Sequence, residues 1–359
     1  MDNTTPFQDE FIGHEEQNEL YEHYRIVVDK GQELLRIDKF LQLRLGNISR
    51  NKIQMAAKAS CILVNGSPVK SNYKVKPLDV VTILLPTPPQ NTEILPEYIP
   101  LDIVYEDDDV LVIDKQAGLV VHPGYANFNG TLLNGLVYYF QNKLDSKGNP
   151  ITPYLVHRID KDTSGLLLIA KNEESQIILS KQFFEHSIKR KYNALVWGDF
   201  DDQCGTIVGN LGRSLKDRRI MSVYPYDDSL PDDQQRGKHA VTHWSVIERF
   251  GYTTLVECVL ETGRTHQIRA HMKHIGHPLF NDSAYGGNEI LKGTTFTKYR
   301  QFINNCFEIM PRQSLHAVVL GFCHPMTGEH LYFESKLPKE FCDLISKWRG
   351  YAQSVNHEF

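Results

Sequence analysis

Cysteine is scarce in this chain and scattered. Six cysteines, Cys61, Cys204, Cys258, Cys306, Cys323 and Cys342, are spread over 359 residues, and no CxxC pair occurs. That spacing excludes a zinc ribbon, a redox dithiol and a dense disulfide framework. Apolar neighbours such as Val259 beside Cys258 point to buried free thiols in a reducing compartment, so a cytoplasmic location is expected. No run of eighteen apolar residues exists, so no membrane span is expected. Residues 1–20 lack the basic start and apolar stretch of a secretory signal. The phosphate-cradling GxxxxGKS/T, the dinucleotide-binding GxGxxG and the GxSxG nucleophile elbow are all missing. Their absence argues against nucleotide hydrolysis, dinucleotide redox chemistry and the usual serine hydrolase. His266, His271, His274 and His277 lie close together, but with no HExxH and no cysteine pair they form no metal-site pattern.

Positive charge is missing from residues 1–24, which hold Asp2, Asp9, Glu10, Glu15, Glu16, Glu19 and Glu22 and no Lys or Arg. The next stretch reverses the sign. Residues 33–85 carry nine bases (Arg36, Lys39, Arg44, Arg50, Lys52, Lys58, Lys70, Lys74, Lys76) against three acids (Glu33, Asp38, Asp79). The whole-chain net charge of −5 hides this local excess, which is the footprint expected of a small nucleic-acid module. Pro86, Pro88, Pro89, Pro96 and Pro100 follow.

The expected organisation is therefore an acidic, mobile leader over residues 1–24, a basic unit over 25–85, a proline-rich extended linker over 86–100 and one catalytic domain over 101–359. In the basic unit Ile37, Phe40, Leu41 and Leu45 recur at helical spacing. Ser49 is a candidate N-cap for a second helix over residues 50–58. Asn65-Gly66 after Ile62-Leu63-Val64 predicts a tight hairpin turn, and Val80-Val81-Thr82-Ile83 a further strand. The order Arg36-Ile37-Asp38-Lys39-Phe40-Leu41, Ser49-Arg50-Asn51-Lys52-Ile53-Gln54, Val64-Asn65-Gly66-Ser67-Pro68-Val69-Lys70 and Lys74-Val75-Lys76-Pro77-Leu78-Asp79 resembles the alpha-L RNA-binding domain. That resemblance makes Arg36, Lys39, Arg50, Lys52, Lys70 and Lys74 candidate RNA contacts. Ala59-Ser60-Cys61-Ile62 departs from it where a Gly and a base are usual.

The chemistry concentrates between two apolar strands, in His157-Arg158-Ile159-Asp160-Lys161-Asp162-Thr163-Ser164-Gly165. An acid flanked by bases there can be a nucleophile, a general base or a salt-bridged turn. With Thr163-Ser164-Gly165-Leu166-Leu167-Leu168, the segment resembles the signature of the RluA family of pseudouridine synthases, Ile159 standing where Leu is commoner. Four more blocks resemble that family in its order. They are Asp114-Lys115-Gln116-Ala117-Gly118 with His122-Pro123-Gly124 (Gln116 replacing the usual Pro), Lys191-Tyr192-Asn193-Ala194-Leu195-Val196-Trp197-Gly198, Glu261-Thr262-Gly263-Arg264-Thr265-His266-Gln267-Ile268-Arg269 with His277-Pro278-Leu279, and Arg312-Gln313-Ser314-Leu315-His316-Ala317 with His324-Pro325.

The resemblance implies an α+β catalytic domain with a central, mostly antiparallel sheet, preceded by the small α/β alpha-L RNA-binding domain. It implies isomerisation of uridine to pseudouridine in structured RNA, large-subunit ribosomal RNA first and transfer RNA second, by a monomer with no cofactor. Asp160 is the implied catalytic group, Tyr192 the ring that stacks on the base, and Arg269 the partner of Asp160, with Arg264 as the alternative. Thr265 is the expected N-cap of a helix over residues 265–275, with Ile268, Met272 and Ile275 facing the core. Arg158 can stack where a flipped base has left the helix. Lys161, Arg264 and His266 are further RNA-contact candidates, and Arg213, Lys216, Arg218 and Arg219 are phosphate candidates. Two rivals stand beside this: a non-catalytic RNA-binding assembly factor, and an RNA-cleaving enzyme using His157 and Asp160.

Because the isomerisation transfers no hydride or phosphate, activity is expected to survive thorough chelation and removal of nucleotides. The assay needs an RNA shown to stay folded without divalent ions. Activity restored only by added zinc would revive the histidine cluster as a metal site.

Overall fold

A computed structural model of the chain describes residues 21–45, 49–85, 94–124, 127–217, 219–231 and 234–356. The chain divides into two compact units, one ending at Glu93 and one beginning at Ile94.

The small unit runs β1 (Tyr21–Val27), β2 (Leu35–Arg36), α1 (Ile37–Leu45), α2 (Arg50–Lys58), β3 (Ile62–Val64), β4 (Ser67–Pro68), β5 (Lys74–Val75) and β6 (Val80–Leu85). Its main sheet has the order β1-β6-β3-β4. Asn65 and Gly66, both at positive φ, turn β3 into β4. The strand predicted from Val80 pairs along the other edge of β3. Ile37, Phe40 and Leu41 of α1 and Ile53 and Ala56 of α2 are buried against Ile62, Val81 and Ile83. β1 corrects the expected boundary. It starts at Tyr21, inside the segment assigned to the leader, because β6 offers it a full antiparallel ladder. The rest of that leader, residues 1–20, and the linker residues 86–93 lie outside the described residues.

One side chain organises the basic face of this unit. Asp38 is fully buried and accepts from Arg36 Nε and Nη2 at 3.1 and 2.9 Å, Arg50 Nε at 3.0 Å and Gln54 Nε2 at 3.0 Å. Arg36 and Arg50 are thereby locked while remaining partly exposed. Lys39, Lys70 and Lys74 are exposed, and Lys52 is partly so.

The large unit runs β7 (Asp102–Glu106), β8 (Val110–Lys115), α3 (Leu132–Phe140), β9 (Tyr154–Leu155), β10 (Ser164–Ala170), α4 (Glu173–Phe184), β11 (Lys189–Trp197), β12 (Cys204–Arg213), β13 (Met221–Tyr224), β14 (Lys238–Arg249), β15 (Thr253–Leu260), α5 (Gln267–His274), α6 (Thr297–Ile309), β16 (Leu315–Cys323), β17 (His330–Glu334) and α7 (Lys339–Asn356). Eleven strands form one sheet in the order β13-β12-β14-β15-β11-β16-β10-β8-β7, with β17 on β16 and β9 on β10. Every pairing is antiparallel except β10 with β16. The α+β architecture with a mostly antiparallel sheet is thus the one expected. Residues 94–100 correct the linker's end. They lack regular structure but are tied to this unit, with Leu95 O accepting from Asn134 Nδ2 at 2.9 Å and Ile99 packed on the core.

The period of two along the strands divides the core. Leu167 and Ile169 of β10 and Tyr192, Ala194 and Val196 of β11 face one side, where α3 and α5 pack. Leu166, Leu168 and Ala170 face Leu179 of α4 on the other side. Leu195 and Trp197 meet α6 and α7. The parallel contact of β10 with β16 depends on Gly165, which sits at φ +111°, where a Cβ would lie 2.3 Å from Ala317 O. No residue but glycine fits both the dihedral and the approach. This close contact anchors the loop 157–163 over the face that carries Tyr192.

Burial would raise the Asp38 carboxyl, but its bonds to Gln54, Arg36 and Arg50 outweigh this and hold it down at about 2. Its contribution to stability is complete above about pH 4 and is lost as pH falls through about 2. Asp38→Asn is expected to destabilise the small unit by about 2 kcal/mol. Hydrogen exchange of the β3 and β6 amides measures this, and unchanged protection would show that the Asp38 cluster carries no stability.

Candidate active site

A cleft of about 440 Å³ opens on the face of the sheet that carries Tyr192. The loop 157–163, the end of α4, the start of β11, and the residues from Leu260 to Arg269 line it. Asp160 comes from the loop, pinned by its buried neighbour Ile159. Tyr192 is almost wholly buried and enters from β11, where burial pushes its hydroxyl pKa up.

Arg269 ties the cleft together. Its Nη1 donates to Asp160 Oδ2 at 3.0 Å, while Nε and Nη2 donate to the two oxygens of Asp282 at 2.7 and 2.8 Å. Asp282 is fully buried and Asp160 partly so. The guanidinium lies 5.0 Å from the centre of the Tyr285 ring. Burial alone would lower the Arg269 pKa, but Asp282, and then Asp160, raise it above its ordinary value. Arg269 thus supplies the counter-charge that a partly buried carboxylate needs.

Arg264 goes elsewhere. It lines the cleft but donates from Nε to His239 O at 3.1 Å. Gln267 fixes this corner, its Oε1 accepting from Thr262 Oγ1 and Arg264 N and its Nε2 donating to Val241 O. α5 begins at Gln267, and the N-cap is His266, in the left-handed conformation, not Thr265. The Gln267 side chain already binds the backbone at Arg264, so the turn closes before the helix starts. Ile268 and Met272 are buried in the core as expected. His266 Nε2 stands 3.9 Å from Asp160 Oδ2, and its Nδ1 is 3.1 Å from the Tyr285 hydroxyl. Burial pulls its pKa down to about 4, so the imidazole is neutral at pH 7.

Arg158 lines the cleft and is exposed, and Lys161 is exposed beside it. His157 Nε2 accepts from Leu168 N at 2.8 Å, so that nitrogen carries no proton, and its ring stacks on Phe183. Burial, helped by Arg190, takes its pKa down to about 3. A histidine so held is no general acid, which removes the support for an RNA-cleaving pair of His157 and Asp160. Arg219 is taken up by Asp217, and Arg218 lies outside the described residues.

Several site residues were not singled out from the sequence. Asp282 follows the His277-Pro278-Leu279 block closely, but nothing local marks it as the second partner of Arg269. Lys115 is buried and donates from Nζ to the carbonyls of Gln116, Leu119 and Lys161 at 2.8, 2.9 and 2.9 Å. It thereby secures the loop of Asp160 from beneath. Arg312 donates to Asp162 O, Ser164 Oγ and Glu340 Oε1. Two buried lines of polar contacts thus reach the same loop.

The clustered histidines do not converge. His271 Nδ1 contacts Thr242 Oγ1, and His277 Nδ1 contacts Trp197 O. Among the described residues, Asp107, Asp109 and His324 bring three potential ligand atoms together. Asp107 already binds His324 and the backbone at Asp109 and Val110, and the Asp109 carboxylate accepts from Asn172 Nδ2. The cysteines are all free, but Cys204 and Cys342 are exposed, which corrects the expectation that the thiols are buried. Cys204 opens β12, and Cys342 lies in the first turn of α7.

A family model described as RNA pseudouridylate synthase matches residues 109–274, and one described as S4 domain matches residues 35–81. The fold is that of an RNA-modifying isomerase. This chain belongs to the RNA pseudouridylate synthase family, with an N-terminal S4 domain. It is 44% identical over 324 residues to an uncharacterized RNA pseudouridine synthase, YlyB, of Bacillus subtilis, covering 90% of this chain and 97% of that one. It is 38% identical over 313 residues to the ribosomal large subunit pseudouridine synthase D of Zymomonas mobilis, covering 85% of this chain and 91% of that one. The solved structure of human RNA pseudouridylate synthase domain containing 4 shares the fold, with a TM-score of 0.52 at 22% identity, over 69% of this chain and 93% of that one.

Arg269→Met leaves two carboxylates without their counter-charge. The turnover rate is expected to fall by more than about tenfold. Asp282→Asn strips one partner from a buried ion group and is expected to cost about 3 kcal/mol, read by urea unfolding. An unchanged turnover rate in the Met variant would remove Arg269 from the role of charge partner.

Proposed function

We propose that this chain converts uridine to pseudouridine in large-subunit ribosomal RNA, with Asp160, Tyr192 and Arg269 carrying the reaction. The observation that carries this is the Asp160–Arg269–Asp282 ion group at the floor of the cleft that Tyr192 also lines. The relatives named for the ribosomal large subunit favour that RNA over transfer RNA.

The reaction breaks the bond between uracil N1 and the sugar C1′, turns the base, and joins C1′ to C5. The C5 proton is lost and N1 regains one, so no atoms or electrons are gained or lost overall. Asp160 acts on the sugar, as nucleophile or as base. Arg269 holds that carboxylate in place and balances its charge. Tyr192 gives the turning base a flat surface. The uridine must leave its stack to arrive there, at a cost of a few kcal/mol, and the exposed Arg158 at the cleft fills the vacated space. Arg264 and His266 line the same cleft, Lys161 is exposed on the Asp160 loop, and Arg36, Lys39, Arg50, Lys52, Lys70 and Lys74 supply phosphate contacts from the small unit. A monomer working in the cytoplasm without a cofactor belongs to the same proposal, and the free cysteines support a reducing compartment.

Asp160→Asn keeps the shape and removes the charge and most of the nucleophilicity. Cells carrying only this variant are expected to lose specific pseudouridines in large-subunit ribosomal RNA, while the purified variant still folds and binds RNA. Mapping pseudouridine across all stable RNAs checks this. Sites lost only from transfer RNA would overturn the substrate, and turnover by the variant near the parental rate would overturn the assignment of Asp160.

A further inference from the structure

The chemistry above leaves Arg190 unused. This residue precedes Tyr192 by two positions on β11, so both side chains leave the strand toward the same side. Both line the cleft. The separation along the strand is roughly 7 Å, within the reach of a single nucleotide. Arg190 is only 7% exposed, and its Nε has no hydrogen-bond partner. Among the described residues no carboxylate pairs with it. Its guanidinium carbon lies 5.4 Å from the centre of the Phe183 ring, a cation–π contact that softens its burial without neutralising it.

Other buried arginines in this unit are treated differently. Arg269 has Asp282 and Asp160, and Arg312 has Glu340. A buried cation lacking such a partner is costly, so its negative charge must come from outside the chain. Of the residues lining the cleft Asp160 is the only acid, and Arg269 already holds it. Gly263 points the same way. A Cβ at that position would lie 2.7 Å from Arg190 Nη1. Its φ is not among the positive ones, so the backbone itself would tolerate alanine. What glycine provides here is a lane for the guanidinium.

We propose that Arg190 binds a phosphodiester of the RNA strand beside the uridine seated at Asp160, in a pocket kept open by Gly263. This rests on the reading of the cleft as a uridine-isomerising site. A planar fork of donors is the group best matched to phosphate oxygens. With the base against Tyr192 and the adjoining phosphate on Arg190, one strand of the sheet sets the register of the nucleotide.

The test uses the full-length protein and a ribosomal RNA hairpin that the wild-type protein converts. Failure of the wild type to form pseudouridine in any such hairpin would sink the reading of the cleft, separately from Arg190. Given conversion, Arg190→Met is expected to weaken binding about ten- to hundredfold and to reduce the slope of log affinity against log salt by about one. Arg190→Lys should recover part of the affinity. A single neutral methylphosphonate, moved through the linkages flanking the uridine, should weaken wild-type binding at one linkage and leave Arg190→Met indifferent there. Gly263→Ala should weaken binding and add little to Arg190→Met in the double variant. Affinity and salt slope unchanged in Arg190→Met would overturn the proposal, as would a fall in kcat alone. Should Arg190→Met fail to fold, the scan on the wild type decides, and the absence of any sensitive linkage overturns it.

Discussion

A single guanidinium constrains the catalytic unit. Arg269 must reach Asp160 on a loop and Asp282 beyond its own helix at the same time, using all three of its nitrogens. Each end of that bond group imposes conditions on the chain. α5 must present Arg269 inward, so Ile268 and Met272 sink into the core beside it. The loop must present Asp160 outward from a buried base, so Ile159 is buried and Gly165 lets β10 press on β16. Asp282 must be held under Arg269, and it also accepts a hydrogen bond from the backbone of Ala284. Asp282 would not be stable in its place if Arg269 were elsewhere, since a carboxylate fully out of water needs a paired and hydrogen-bonded cation.

Beneath the loop, a second cation does a different job. Lys115 meets three backbone carbonyls and no carboxylate directly. Burial brings its ammonium pKa down to about 7, against the attraction of Asp162 and Asp160. Its partners lie on both the Gln116–Leu119 turn and the Asp160 loop, so it sets their separation. Arg312 bridges the loop to Glu340 from the other side. Lys115 and Arg312 thus place the loop through its backbone carbonyls, while Arg269 bonds the Asp160 carboxylate itself.

The elements expected from the sequence were legible because their patterns are local. The fully apolar Leu166–Ala170 stretch, the helical spacing through Ile37 and Leu41 and the Asn65-Gly66 turn each follow from a few adjacent residues. Boundaries failed for two reasons. β1 begins early because the distant β6 pairs with it, and α5 starts late because the Gln267 side chain, acting locally, binds the turn before it. The same distinction runs through the site. Asp160, Tyr192 and Arg269 stand in recognisable blocks. Asp282, Lys115 and Arg190 matter only through partners or through the lack of them, and that depends on folding from many positions.

Three kinds of arginine in this chain show how burial and pairing divide their roles. Arg36 and Arg50 are pinned by the buried Asp38 while staying partly exposed; on the proposed reading their planes are oriented before RNA arrives and lose little entropy on binding. The exposed Lys39, Lys70 and Lys74 around them add charge without fixed direction. Such a face favours affinity with modest geometric selectivity. Arg269 is paired on both sides, and its charge is consumed internally. Arg190 is buried like Arg269 yet unpaired, which is the state least tolerated unless a ligand completes it. A preformed cation in a low-dielectric cleft needs no reorganisation when an anion enters and attracts it more strongly than the same cation in water. On the proposed reading, binding energy gathered at that point, next to the turning base, goes to holding the unstacked nucleotide in place, and capture is left to the small unit.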